Sequence, residues 1–153
     1  MTKLRVLAFA AARGRIGSVV LDGNLLIDWR ISDKAADSPQ AATAFAERMF
    51  AEFSPDVVVT EEVLLARHKG KRTVALIETL AEAAENHSLM SITLPRRQNY
   101  ANKYVEADAL TAQFPELAPW QPPPRRFYDN EPRNTVLFEA LSLALQLVER
   151  DAA

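Results

Sequence analysis

Residues 6–17 read VLAFAAARGRIG and continue as SVVLDGNLLIDW through residue 29. The run is apolar up to Arg13, breaks at a short basic turn containing Gly14, and becomes apolar again. Residues 4–10 therefore predict a buried strand and residues 16–21 a second one. The triplet DGN at 22–24 is a hairpin signal, because Asp-Gly and Gly-Asn tolerate positive φ. Residues 25–32, LLIDWRIS, complete a three-stranded meander.

Beyond residue 32 the pattern changes period. PQAATAFAERMFAEF at 39–53 predicts a helix, with Ser38 as its cap and Pro39 in its first turn. Ala42, Phe45, Ala46, Met49, Phe50 and Phe53 recur at helical spacing. VVVTEEV at 57–63 predicts a β-branched strand of the parallel type. A helix over 72–86 follows, with Val74, Ile77, Leu80, Ala81 and Ala84 as its apolar stripe and His87 at its end. SLMSITLP at 88–95 predicts another strand, 104–114 a short helix, 115–132 a proline-rich loop, and 134–150 a final helix. That last helix buries Val136, Leu137, Ala140, Leu141, Ala144, Leu145 and Val148. The order β-β-β-α-β-α-β-α-α predicts an α/β fold: a mixed five-stranded sheet, three antiparallel strands then parallel βα units, with helices on both faces. Ligands of such sheets gather where the central strands end.

The chain of 153 residues is the size of one domain, 1–153, and its 48% hydrophobic content suffices for a core. No apolar run approaches the ~20 residues that cross a bilayer, so no membrane partner is expected. The N-terminal run reads as a strand rather than a signal peptide. With no cysteine, disulfides and thiolate metal sites are excluded, which fits a cytoplasmic protein. A net charge of −2 is not that of a general nucleic-acid binder. The bases are clustered, however: Arg13, Arg15, the RHKGKR run at 67–72, Arg96, Arg97, Arg125 and Arg126. Basic loops on a near-neutral body can still contact phosphates. His68 and His87 match no metal-ligand spacing. There is no P-loop and no G-x-S-x-G nucleophile motif, and ARGRIG leads into a strand rather than a helix.

Four segments, in this order, resemble the ribonuclease H-like superfamily and, within it, the RuvC group of Holliday-junction resolvases. RVLAFAAARGRIGSVVL (5–21) is similar to the first hairpin and SPDVVVTEEV (54–63) to the glutamate-bearing strand. YANKYVEADAL (100–110) is similar to a segment with a lysine before a short helix, and RNTVLFEALSLALQL (133–147) to the C-terminal helix. The resemblance implies a ribonuclease H-like fold, DNA as partner, branched DNA included, and a homodimer.

The resemblance also implies a Mg²⁺ site. Hydrolysis in this family uses two ions ~4 Å apart, and Mg²⁺ requires oxygen ligands. Carried over by position, the site keeps Glu61 and Glu139 as catalytic and metal-binding acids. Glu62 points to the opposite face of the strand from Glu61. The first-strand aspartate falls on Ala10, and the acid one turn before Glu139 falls near Thr135 or Val136. Asp129 and Glu131 are substitutes within reach in sequence. Arg13, Arg15, Arg67, Lys69, Lys71, Arg72 and Lys103 are the expected phosphate contacts, with Phe127 and Tyr128 as stacking candidates. Each has a plainer reading: Glu61 and Glu139 as solvated acids, the RHKGKR run as a solvated loop, the two rings as packing for the proline loop.

The leading expectation is a degenerate nuclease that still recognises branched or duplex DNA. The alternatives are an active Mg²⁺-dependent endonuclease using Glu61 and Glu139, and a protein-interaction module without nucleic acid.

Overall fold

The protein is described by a computed structural model covering residues 3–64, 66–97, 100–122 and 134–152. β1 (Arg5–Ala12), β2 (Arg15–Asp22) and β3 (Leu25–Ser32) form the antiparallel meander. Its two turns place Gly14 at φ +75 and Gly23 at φ +63, where a Cβ would be strained. β4 (Val57–Glu61) lies parallel to β1, and β5 (Met90–Leu94) lies parallel to β4. The spatial order is β3-β2-β1-β4-β5, so β1 and β4 are central.

Strand alternation divides the core in two. Leu7, Phe9 and Ala11 of β1 and Val58 of β4 face one apolar layer. That layer is supplied by α1 (Pro39–Phe53) and α2 (Lys71–Asn86). Val6, Ala8 and Ala10, with Val57 and Val59, face the other, supplied by α3 (Lys103–Gln113) and above all α4 (Thr135–Ala152). Helices thus cover both faces of the mixed sheet.

The local signals act as expected in α1. The Ser38 hydroxyl accepts from the Ala41 N–H at 3.0 Å, and Pro39 occupies the first turn. The helix stops at Ser54, which takes the left-handed conformation at φ 46. In α2 the buried face is Thr73, Leu76, Ile77, Leu80, Ala83 and Ala84. Val74 and Ala81, expected inside, are half-buried at its margin. The apolar count alone misplaced the stripe because Thr73, a polar residue, faces inward at the first turn. In the expected proline loop, Pro115–Trp120 instead forms a 3₁₀ helix. Its Leu117 is buried, and the Trp120 ring meets Trp29 edge-on, with centroids 5.5 Å apart. Packing Leu117 into the core and pairing two partly buried tryptophans outweighs the freedom of a loop.

The start of α4 rests on β2 at Gly17. A Cβ there would lie 2.9 Å from the Val136 carbonyl oxygen and 3.1 Å from its carbon. Both are backbone atoms, so neither can swing aside. Gly17 pairs across the ladder with Ala10, whose methyl is 2% exposed in the α4-side core. A missing side chain at Gly17 and a methyl at Ala10 therefore bring the first turns of α4 close to the end of β1. Gly17→Ala should cost roughly 1–3 kcal/mol through overpacking, read as a lower urea midpoint at unchanged slope, while Gly14→Ala, which meets no atom within 4 Å, should show only the smaller strain of its positive φ.

Candidate functional site: an acid pair closed by a lysine, beside a basic cleft

β1 and β4 end side by side. Their register pairs Ala8 with Val59, and two residues farther along stand Ala10 and Glu61. Alternation turns Glu61 toward α4, and it is 5% exposed. Glu62, one residue beyond the strand, turns away and accepts from the Thr93 hydroxyl at 3.2 Å. Glu139, on the second turn of α4, comes down over the same strand ends with its side chain 12% exposed.

Lys69 fills the space between them. It sits in a 3₁₀ turn, Arg67–Lys69, just before α2. Its Nζ donates to Glu139 Oε2 at 2.8 Å and to the Ala11 carbonyl at 3.0 Å, and lies 3.1 Å from Glu61 Oε1. The contact with Glu61 is an ion pair, and Glu61 Oε1 is shielded from solvent. The Lys69 side chain is 13% exposed. Burial works against its charge, but Glu139 and Glu61 outweigh burial and hold its pKa above the ordinary lysine value.

A second buried acid stands nearby. Glu106 on α3 is 2% exposed, is paired with Arg96, and accepts from the Ser142 hydroxyl at 3.3 Å. Burial pushes its carboxyl up, Arg96 and Ser142 pull it down, and the charge on Glu139 pushes it up again. Glu106 was not among the expected site residues. The available signal was its place on the inward side of α3, beside Ala107 and one turn before Leu110, both buried.

The expected bases separate into groups. Arg13, Lys71 and Arg72 line one cleft of about 540 Å³, which Gly14, Gly70 and Lys69 also border. Arg13 and Lys71 are exposed, and Arg72 donates to the Asp37 carbonyl at 3.2 Å. Arg67 is exposed and Arg15 half-buried, and neither lines this cleft. Lys103 opens α3, is half-buried and is engaged within the protein. Lys69 differs from its neighbours in the RHKGKR run, because its ammonium is spent on carboxylates. Asp129, Glu131, Arg125, Arg126, Phe127 and Tyr128 lie outside the described residues.

The two-ion arrangement does not fit these side chains. Ala10 and Val136 offer no ligand atom and Thr135 offers no carboxylate, and all three are buried. Among the described residues no group of three or more His, Asp or Glu could hold a metal. The two acids that do converge already hold an ammonium.

No protein-family model matches the sequence, and no curated protein does either. Solved structures do match. Thermus thermophilus RuvC in complex with a Holliday junction substrate superposes with a TM-score of 0.64 at 13% identity, over 98% of this chain and 96% of that one. Thermus thermophilus RuvC in a second structure gives 0.65 at 13% identity, over 97% and 96%. The Fowlpox virus resolvase in its Holliday junction DNA complex gives 0.68 at 13% identity, over 98% and 100%. The chain has the RuvC-like, ribonuclease H-like fold, and the expected architecture holds.

Lys69→Met should destabilise the protein by about 3–5 kcal/mol, because it leaves buried carboxylates uncompensated. Adding Glu61→Gln and Glu139→Gln should recover most of that loss in urea melts, since neutral packing commonly replaces a buried ion pair at little cost. A pKa raised on folding contributes stability that is complete below the unfolded lysine value and disappears as pH rises through the folded value. Wild type should therefore lose stability at strongly alkaline pH, above the ordinary lysine range, more steeply than the triple variant.

Proposed function

We propose that this protein binds branched or duplex DNA through the phosphate backbone and does not cut it. One observation carries the reading: where the fold would hold hydrolytic metal ions, a lysine ammonium joins the two acids, and a basic cleft opens beside it. Phosphate contacts need only positive charge at the right spacing, and Arg13, Lys71 and Arg72 supply it. Hydrolysis needs a positioned water and a stabilised leaving oxygen. An ammonium cannot lower the pKa of a bound water as a divalent ion does. Both solved complexes named above contain Holliday junctions, which makes branched DNA the first ligand to try. An active endonuclease using Glu61 and Glu139 is the weaker reading, because both acids are already engaged by the Lys69 ammonium.

The test is fluorescence anisotropy with a four-way DNA junction, a linear duplex and a single strand, each in EDTA and in Mg²⁺, followed by denaturing gels. Binding should be equal in EDTA and in Mg²⁺ apart from ionic-strength effects, should weaken linearly in log K against log salt, and should leave the strands intact. Arg13→Ala/Lys71→Ala/Arg72→Ala should reduce the magnitude of that slope by up to about 0.9 per lost phosphate contact. Unchanged affinity in the triple variant would remove the cleft from the interface. Mg²⁺-dependent cutting abolished by Glu61→Gln would replace this reading with the endonuclease.

A further inference from the structure

Three oxygens converge on the Lys69 nitrogen from three separate elements. They are the Ala11 carbonyl at the end of β1, Glu61 Oε1 at the end of β4 and Glu139 Oε2 on α4. The nitrogen itself arrives from the turn before α2. One point of positive charge therefore ties together four segments. A hard divalent ion does the same work with the same kind of donor: carboxylate and carbonyl oxygens, with water completing the set.

The geometry points to Lys69 as a built-in counter-cation: we propose that it keeps divalent ions out of this site, and that Glu61, Glu139 and the Ala11 carbonyl become a one-ion site for Mg²⁺ or Mn²⁺ once the ammonium is removed. Two features support this beyond the presence of two acids. Glu61 is 5% exposed, and its solvent-shielded Oε1 is held 3.1 Å from the Lys69 nitrogen, so removing the ammonium leaves a buried carboxylate oxygen facing the vacated position. The backbone carbonyl is held in place by the β1 ladder and does not depend on Lys69 for its position. Three protein oxygens leave room for the waters that Mg²⁺ ordinarily keeps. A second ion would still lack carboxylate ligands, because Ala10, Thr135 and Val136 supply none. The site is therefore expected to hold one ion and to remain hydrolytically silent.

Lys69 is on this account a positioning residue. It holds the turn at 67–70 against the strand ends, and the cleft walls at Gly70, Lys71 and Arg72 follow directly from that turn. The proposal concerns cations and does not depend on nucleic-acid binding, so either can fail alone.

The experiment uses the intact chain as wild type, Lys69→Ala, and Lys69→Ala/Glu61→Gln/Glu139→Gln. Mn²⁺ binding is counted by electron paramagnetic resonance, and thermal melts are run in EDTA, Mg²⁺ and Mn²⁺. Lys69→Ala should bind one Mn²⁺ per chain in excess of wild type and of the triple variant, and only its melting temperature should climb with Mn²⁺ concentration, as binding to the folded state requires. A merely structural lysine would give a destabilised variant that no cation restores. If Lys69→Ala is unfolded in EDTA, refolding on Mn²⁺ addition supports the proposal and failure to refold overturns it. Equal Mn²⁺ uptake by Lys69→Ala and the triple variant overturns it, as does wild-type uptake that Glu61→Gln abolishes.

Discussion

Two carboxylates brought together in a place sheltered from water need a positive charge between them. In this protein Lys69 supplies it, and much of the neighbourhood depends on that contact. Like charges at close range in a weakly screened site repel strongly. Without the ammonium, the ends of β1 and β4 and the second turn of α4 would bring unpaired negative charge into the core's edge. With it, the turn before α2 is drawn down onto the strand ends, and the basic face of that turn is presented beside them.

The absence of a first-strand aspartate belongs to the same arrangement. Ala10 and its ladder partner Gly17 are the small residues that admit the first turns of α4. A third carboxylate there would add to the negative charge that one lysine already only partly offsets. The alanine, the glycine and the lysine form a consistent set in which packing and one ammonium stand where a metal cluster would otherwise be required. Fold and chemistry separate because chemistry resides in the site.

Much of the architecture was legible in the residues. The period-2 runs, the DGN turn and the helical spacing of Phe45, Met49 and Phe50 set the element order. The alternation rule distinguished Glu61 from Glu62, and the structure turns the two to opposite sides. The role of Lys69 was not legible. In RHKGKR every base looks equally solvated, and only the chain's return over the strand ends selects the third residue for burial. Glu106 was missed for a related reason: an acid reads as exposed even on the inward side of a short helix until Arg96 and Ser142 are seen to meet it. Long-range pairing of charges leaves no periodic trace, whereas apolar packing does.

Anomalous diffraction at the manganese edge, from crystals of the wild-type protein grown in MnCl₂, distinguishes an ammonium from a metal at this site. Continuous density is expected for the Lys69 side chain reaching Glu61, Glu139 and the Ala11 carbonyl, with no anomalous peak between the acids. A manganese peak there, with Lys69 turned out into solvent, would contradict the ammonium assignment and return the site to metal chemistry.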